Sequence, residues 1–449
     1  MRAKRVGIAG PVVAVLAAVL VFAFAASRLA PPFDDGRPPV DAPNECAPPP
    51  KPPAAATLRA AIGAYYFGGW SGPTTGRHFT GLAGKFATRQ PLFGWRDADT
   101  DSMKQQLRWA SAYGVSFFAF DWYHNAERSS DPFLNTALRN YLRLPSRDRA
   151  GVKFAVVYVN TNDGEDFVVS RAAWKRVTRF WATLFRDPDY ARVEGKPLFI
   201  VLDALGMEGQ LGSGAAVNRA LDALRLAARA RRLPGVFVVG GVSVHRGFDW
   251  RGFRHRIAGQ NWDALTQYAY PAIAGTGTGP RPFEELVRAE RRTWAKFAGS
   301  TSHPYIPDVM VGWDPRPWRE TVQGRLFWFR RNPSVMAAFV NAAIDWAHSH
   351  PRPRGVDASL VMLEAWNELG EGSYVLPTVG DCHAYGSALA RVVSTTKARG
   401  GRAAARSRRS LGAGRPPWPT SSYRSPHGRR HLAAPPEATA PLRRARRTW

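Results

Sequence analysis

Eight apolar runs alternate with amphipathic segments along this chain, and this alternation limits the folds that it can adopt. Each run is long enough for a buried strand, and most are separated by a segment whose apolar residues recur at helical spacing. Eight strands with intervening helices close into a (β/α)8 barrel, whose active site lies at the C-terminal ends of the strands. The sequence therefore predicts an α/β fold of the (β/α)8 TIM barrel type. The predicted strands are 62–67, 116–123, 153–160, 197–203, 236–243, 264–270, 306–313 and 359–366, and the predicted helices are 101–113, 132–142, 171–185, 215–232, 283–297, 334–348 and 384–393.

The chain has 449 residues, and one large barrel with flanking extensions accounts for that length. A barrel of this type needs about 250 residues or more as a single unit. We expect a signal peptide or membrane anchor at 1–29, a Pro-rich linker at 30–57, the catalytic barrel at 58–395 and a basic disordered tail at 396–449.

The N-terminus has the pattern of an export signal. Three basic residues within the first five precede an apolar run at 6–26, which is followed by polar, Pro-rich sequence. The small residues Ala23 and Ala25 flank Phe24 as in a cleavage site, while the length of the run also fits an uncleaved anchor in the membrane. Both interpretations place the barrel outside the cytoplasm, either secreted or anchored to the outer face of the cytoplasmic membrane.

The chain has two cysteines, Cys46 in the Pro-rich linker and Cys382 near the end of the barrel. In an oxidising compartment they could pair, but two cysteines alone do not define a disulfide framework, so the sequence leaves the pairing open.

The C-terminal tail carries much of the net charge of +27. It holds 14 Lys and Arg residues against Glu437 alone, and it lacks apolar periodicity. Such a composition predicts disorder and an affinity for anionic polymers. Because export separates the protein from nucleic acid, we expect no nucleic-acid partner. A nonspecific tail, or a stretch translated out of its ancestral frame, would have the same composition.

Two carboxylates lie three residues apart after the last predicted strand. The sequence from Glu364 to Tyr374 is EAWNELGEGSY, in which Gly370 and Gly372 predict a turn that carries Glu368 and Glu371. Two neighbouring carboxyl groups suit acid/base chemistry, because repulsion and burial raise the pKa of one while the other stays ionised. A solvated polar turn would show the same residues.

Polar and aromatic residues also follow several other predicted strands. On one face of a barrel they would form an aromatic-walled cleft for sugar rings, although each taken alone is an ordinary residue at the end of a strand. The candidate substrate-binding residues are Tyr66, Trp70, Asp121, Trp122, Tyr123, Asn160, Tyr268, Tyr270, Trp313, Asp314, Trp366, Asn367 and Tyr374.

Several motifs occur in the order that is typical of one family. They are AYYF at 64–67 with Trp70, WA at 109–110, YG at 113–114, FDWY at 120–123, DPDY at 187–190, EGKP at 194–197, GWD at 312–314, WNE at 366–368 and GEG at 370–372. In this combination the chain resembles the WbsX group, which is similar to glycoside hydrolase family 99, the endo-α-mannosidases. The resemblance covers about residues 62–393.

The resemblance implies a retaining glycosidase that acts on an α-linked, mannose-like glycan with assistance from the substrate. It implies that Glu371 is the general acid/base and that Glu368 takes the proton from the 2-hydroxyl of the sugar, with no cofactor and no metal. The expected partner is a polysaccharide or oligosaccharide substrate. Leu369 departs from the pattern, which usually has an aromatic residue there.

Two other function classes remain open. WbsX proteins are often described as glycosyltransferases, and Asp97 and Asp99 have the Asp-x-Asp spacing of a metal-dependent transferase. The same residues directly precede a predicted helix, where carboxylates stabilise the N-terminus. The third reading is a barrel that binds glycan without cleaving it.

Overall fold

The computed structural model of the protein describes residues 46–82, 84–124, 131–160, 170–268, 271–274, 277–319, 322, 324–350 and 359–394. The predicted N-terminal export segment, most of the Pro-rich linker and the basic tail lie outside the described residues.

Eight parallel strands form a barrel, as the sequence predicts. The barrel closes between the two edges of this sheet, where Leu265 forms a parallel bridge with Tyr305. The amide of Leu265 donates to the carbonyl oxygen of Pro304, and the amide of Ile306 donates to the carbonyl oxygen of Leu265, both at 2.8 Å. The barrel strands are β1 (Ala61–Tyr66), β2 (Phe117–Trp122), β3 (Lys153–Tyr158), β5 (Lys196–Val201), β6 (Phe237–Gly241), β7 (Ala264–Thr266), β9 (Asp308–Met310) and β11 (Leu360–Glu364), and shorter strands outside the barrel are β4 (Arg192–Val193), β8 (Gly279–Pro282), β10 (Phe327–Arg330), β12 (Asn367–Glu368) and β13 (Ser373–Tyr374).

Each of the seven predicted helices is present. Three further helices, at 204–211, 250–257 and 271–274, were missed because they are short, and the first two also contain glycine. Asp203 and Asp249 nevertheless accept a hydrogen bond from the third residue after each and mark the starts of the first two. The helices are α1 (Thr100–Ala112), α2 (Thr136–Arg143), α3 (Arg171–Leu184), α4 (Ala204–Leu211), α5 (Gly214–Arg229), α6 (Trp250–Ile257), α7 (Pro271–Ala274), α8 (Phe283–Ser300), α9 (Pro333–Ser349) and α10 (Ala384–Val393), with 3-10 turns at Ala55–Thr57, Gly69–Ser71, Arg77–Phe79, Gly84–Arg89 and Ser146–Asp148.

The barrel interior is filled by alternate residues of the strands, because successive side chains of a strand point to opposite faces. On β2, Phe117 and Ala119 belong to the interior cluster, and Asp121 continues the same row. Phe118, Phe120 and Trp122 form the opposite row, which faces the helices. This alternation decides which of the predicted site residues can reach the mouth of the barrel.

Cys46 and Cys382 form a disulfide, which answers the question that the sequence leaves open. The bond joins the segment before the barrel to the loop before α10, across a sequence separation of 336 residues. Among the residues described above, no helix has the length and apolar character needed to cross a membrane.

Candidate active site

The two predicted acids lie on a hairpin at the C-terminal mouth of the barrel. After β11 ends at Glu364, β12 and β13 pair antiparallel, and the turn between them carries Glu371 three residues after Glu368. Gly372 has a φ of +71°, a left-handed conformation that glycine adopts without strain. The glycine-rich motif therefore forms a tight turn next to the strand ends, as predicted.

The hairpin is in close backbone contact with the loop after β9. The amide of Asp314 donates to the carbonyl oxygen of Glu371 at 2.5 Å. A Cβ atom on Gly312 would lie 2.3 Å from the carbonyl oxygen of Gly372, so only glycine permits this approach. Glu371, which is 7% exposed, is thereby fixed against the end of a neighbouring strand.

Glu368 shares a tyrosine with a second carboxyl group. The hydroxyl of Tyr268 lies 3.0 Å from Oε1 of Glu368 and 3.3 Å from Oδ2 of Asp121. Burial raises the pKa of Glu368 to about 7, and the hydrogen bond from Tyr268 opposes the rise. Burial, and then repulsion from Glu368, raises the pKa of Asp121 well above its ordinary value. Glu368 therefore changes its charge near neutral pH, as a general base requires.

Arg89 holds the loop of Asp314 to the hairpin, and sequence analysis missed it. Its guanidinium pairs with the carboxylate of Asp314 and donates to the carbonyl oxygen of Leu369 at 2.8 Å. Arg316 binds the same carboxylate with two hydrogen bonds of 2.7 Å. Asp314, predicted to contact substrate, is thus the anchor between two arginines. Nothing in the sequence of the 84–89 turn distinguishes Arg89 from a surface residue.

Asn367 and Asn160 connect neighbouring strand ends. The side chain of Asn367 accepts from the amide of Phe67 and donates to its carbonyl oxygen, both at 2.9 Å. Asn160 makes the same pair of bonds with the backbone of Asp203, at 2.9 and 2.8 Å. Both predicted site residues therefore fix the shape of the mouth through the backbone.

Tyr66, Trp122 and Trp366 lie on the outer side of the barrel. The hydroxyl of Tyr66 donates to Asp97 at 2.7 Å, Nε1 of Trp366 donates to Gln106 of α1 at 2.9 Å, and the ring of Trp122 packs edge-on against a tryptophan of α3 at 5.0 Å. Their positions at the strand ends were predicted, but the alternation of the strand turns these side chains towards the helices. We therefore leave them out of the set that we propose to contact a sugar.

The remaining predicted aromatic residues are buried at the mouth. Trp70, Tyr123, Trp313 and Tyr374 are 2%, 7%, 1% and 5% exposed. Trp70 donates to the carbonyl oxygen of Asn367 at 2.7 Å and supports the hairpin from below. Tyr270 lies outside the described residues.

Two half-buried tryptophans next to the hairpin were also missed. The ring of Trp318 stacks on Trp70 at 6.2 Å and lies so close to Gly370 that a Cβ atom there would be 2.1 Å from it. Trp328 lies under the guanidinium of Arg316 at 4.2 Å. Their signal was the aromatic-rich segment 313–329, of which only the first tryptophan was considered.

Glu364 braces the hairpin from inside the barrel. The hydroxyl of Ser373 donates to the Glu364 carbonyl oxygen at 2.6 Å and to its Oε2 at 3.0 Å. Burial, then repulsion from Asp308 and Glu368, raises the pKa of Glu364 well above its ordinary value. A protonated carboxyl group here would remove charge from beneath Glu368.

The Asp-x-Asp sequence has a structural role at both positions. Asp99 caps α1 by accepting from the amide of Ser102 at 2.8 Å. Asp97 is buried and accepts from Tyr66 and from the hydroxyl of Ser71, the latter at 2.6 Å. Burial raises the pKa of Asp97 to about 6. Within the described residues, no group of three or more acidic, His or Cys side chains is arranged to hold a metal ion.

Comparison with known proteins gives one family and a set of similar folds. Residues 93–389 match the family model described as "Glycosyltransferase WbsX". A structure titled "Glycoside hydrolase-like protein" is 16% identical, covers 80% of this chain and 98% of its own, and superimposes with a TM-score of 0.53. The GH99 endo-alpha-mannosidase from Bacteroides thetaiotaomicron is 17% identical, with 75% and 96% covered and a TM-score of 0.48. No curated protein matches the sequence.

Proposed function

This chain belongs to the WbsX family, and from that premise we propose that it is a retaining glycoside hydrolase that cleaves an α-linked, mannose-like glycan. The observation that carries the proposal is the hairpin at the barrel mouth. It holds Glu371 next to Glu368, whose pKa of about 7 is set by burial and by the hydrogen bond from Tyr268. Cleavage of a glycosidic bond needs one carboxyl group to protonate the leaving oxygen and a second to remove a proton from the attacking oxygen.

In the proposed first step, Glu371 gives its proton to the glycosidic oxygen as the bond to the anomeric carbon breaks. Glu368 takes the proton of the sugar's 2-hydroxyl, whose oxygen attacks the anomeric carbon and forms a 1,2-anhydro sugar. In the second step, Glu371 takes a proton from water, the water oxygen attacks the anomeric carbon, and Glu368 returns its proton to the 2-oxygen. Two inversions at one carbon give net retention.

The hydrogen bonds around the hairpin support this assignment. A misplacement of about 1 Å in a catalytic group costs on the order of 100-fold in rate. Here the Glu371 carbonyl is bound by the Asp314 amide, while Asn367, beside Glu368, is bound to the backbone of Phe67. The two carboxyl groups are thus carried on a braced turn.

The test is a screen of the full chain against defined α-glycans for the release of new reducing ends. Replacing Glu371→Gln should lower turnover at least about 100-fold on the glycan that is cleaved, and Glu368→Gln should do the same. Glu284→Gln, at an exposed carboxylate on α8, is the matched control and should keep full activity. Wild-type turnover by the Glu371 variant would remove it from the mechanism.

A glycosyltransferase is the second candidate, because the family is described as one. A transferase has to neutralise the diphosphate of its sugar donor, with a divalent ion or basic side chains. Asp97 and Asp99 are engaged inside the protein and in a helix cap, and so lend this no support. Titration with a manno-oligosaccharide and with a nucleotide sugar, each with and without manganese, separates the two. Binding of the nucleotide sugar alone would favour the transferase.

We also propose that the protein works outside the cytoplasm. The Cys46–Cys382 disulfide supports this, because such bonds persist mainly in oxidising compartments, as does the apolar segment at 6–26 in the sequence. Alkaline phosphatase fused after residue 57 should be active in cells. An inactive fusion that is nevertheless produced would show that the segment does not direct export.

A further inference from the structure

The rim of the site next to the hairpin presents one guanidinium group in a fixed orientation. Nε and Nη2 of Arg316 bind Oδ1 and Oδ2 of Asp314 along one edge, both at 2.7 Å. The group also lies over the rings of Trp328 and Phe86, at 4.2 Å and 5.2 Å from the ring centroids. The side chain is nevertheless 38% exposed. The edge formed by Nη1 and Nη2 is therefore the one that remains for a ligand.

Positive charge at this rim exceeds the charge that the protein supplies to balance it. Asp314 is shared between Arg316 and Arg89, so that one carboxylate faces two guanidinium groups. Burial lowers the pKa of Arg89 and Asp314 acts against that change, while the hydrogen bond to Asp314 raises the pKa of Arg316, so both guanidinium groups depend on one carboxylate. Two guanidinium groups and one carboxylate leave a net charge of +1, and Arg316 is the partly exposed member of the three.

The sequence on either side of Arg89 and Arg316 shows the same imbalance. Residues 84–97 and 314–331 together hold eight Lys and Arg and three acidic residues, Asp97, Asp314 and Glu320. Glu320 lies outside the described residues. A rim of this composition raises the local concentration of anionic ligands.

We propose that this rim is a subsite for an anionic sugar residue, with Arg316 as its anchor, so that the substrate is an acidic glycan. The inference rests on the proposed hydrolase function. The subsite adjoins the reacting carboxyl groups, because Arg316 follows by two residues the amide that binds the Glu371 carbonyl. The open edge of the guanidinium matches the two oxygens of a carboxylate, a sulfate ester or a phosphate ester. The rings of Trp328 and Phe86 lie against the guanidinium and hold its open edge in one orientation.

The test compares ligands that differ only in charge. The probes are neutral α-mannotriose and three derivatives of it that carry one anionic group, namely a carboxylate at C6, a 6-sulfate or a 6-phosphate. Calorimetry uses the full chain carrying Glu371→Gln, so that no probe is consumed. We expect at least one anionic probe to bind more tightly than its neutral twin, and the three anions distinguish the carboxylate, sulfate and phosphate sources.

The variants test Arg316 itself. Adding Arg316→Gln should weaken the preferred anionic probe at least about tenfold and leave its neutral twin nearly unchanged, as expected for a lost hydrogen bond between charged groups. Arg316→Lys should recover part of the loss, because it restores charge without the bidentate edge. Arg176→Gln, which removes an exposed arginine from α3, is the control and should change affinity less than twofold.

The inference would be overturned if every anionic probe bound with the same affinity as its neutral counterpart. It would also be overturned if Arg316→Gln weakened the binding of the anionic and the neutral probe by the same factor. If a neutral α-glycan is still cleaved in that case, the hydrolase proposal stands without the acidic subsite. If no probe binds and no α-glycan is cleaved, both proposals fail.

Discussion

Removing the hydroxyl of Tyr268 should move the acid limb of the activity profile to higher pH. Glu368 must be ionised to act as the base, and its pKa is about 7. The ionised fraction then falls about tenfold per pH unit below 7, so kcat/KM at pH 5 should be about 100-fold below its plateau. In Tyr268→Phe the carboxylate loses a hydrogen bond of 3.0 Å that stabilises its charged form. Such a bond contributes about 1.5–3 kcal/mol, so its loss should raise the pKa of Glu368, and with it the midpoint of the acid limb, by about 1–2 units.

The assay is kcat/KM between pH 4.5 and 9 on the cleaved glycan, roughly the range in which carboxyl and imidazole groups titrate. Tyr190→Phe is the control, because it removes another buried hydroxyl that is bonded to β3 and β5 away from the carboxyl groups. Its profile should match that of the wild type. A wild-type limb near the ordinary carboxyl value of 4.5, or a limb that moves to lower pH in Tyr268→Phe, would refute the assignment of Glu368 as the base.

Three further changes should have measurable effects. Glu368→Gln should raise the free energy of unfolding by up to about 3 kcal/mol at pH 8 and leave it unchanged below pH 4.5. The pKa of Glu368 is about 7 in the folded state and 4.5 in the unfolded state, so ionising this side chain above pH 4.5 destabilises the folded wild type. Urea titration at pH 8 and at pH 4 measures the two free energies. Arg89→Gln should lower the free energy of unfolding, measured in urea, by about 3 kcal/mol, because the buried carboxylate of Asp314 loses one of its two arginine partners. A loss below about 0.5 kcal/mol would contradict the role of Arg89 in holding the loop of Asp314 to the hairpin. Reduction of the Cys46–Cys382 bond should lower the free energy of unfolding by about 2–4 kcal/mol, which a thermal melt with and without reductant measures. The Cys382→Ser variant is the control, and its melting temperature should not change when reductant is added.

The barrel could be predicted from sequence because its signal is repeated. Eight apolar runs with helical segments between them give the strand order, and the last run ends where the glycine-rich motif begins. Short elements were missed where the pattern is too brief to register, as at 204–211 and 250–257. The hairpin strands Asn367–Glu368 and Ser373–Tyr374 have only two residues each, which is too short for a pattern of alternating residues. They pair because the glycine-rich turn brings the two segments together.

The candidate site was only partly predictable, because position at a strand end does not give the direction of a side chain. Asp121 and Trp122 are neighbours in sequence, yet one faces Tyr268 inside the mouth and the other faces α3. Arg89 is remote in sequence from the hairpin that it holds, and no local pattern marks it. Trp318 comes to the site because Gly370 leaves room for its ring. Contacts between distant segments are set by packing, which local sequence does not encode.

The stereochemistry of the first product tests the central claim most directly. The glycan that the protein cleaves should be digested in ¹⁸O-labelled water while proton NMR follows the anomeric signals before mutarotation. The account predicts an α-configured product that carries one ¹⁸O atom at its new anomeric hydroxyl, with no product from the 2-deoxy analogue. An initial β-anomer, or efficient cleavage of the 2-deoxy sugar, would contradict it, because either result excludes attack by the 2-hydroxyl followed by water.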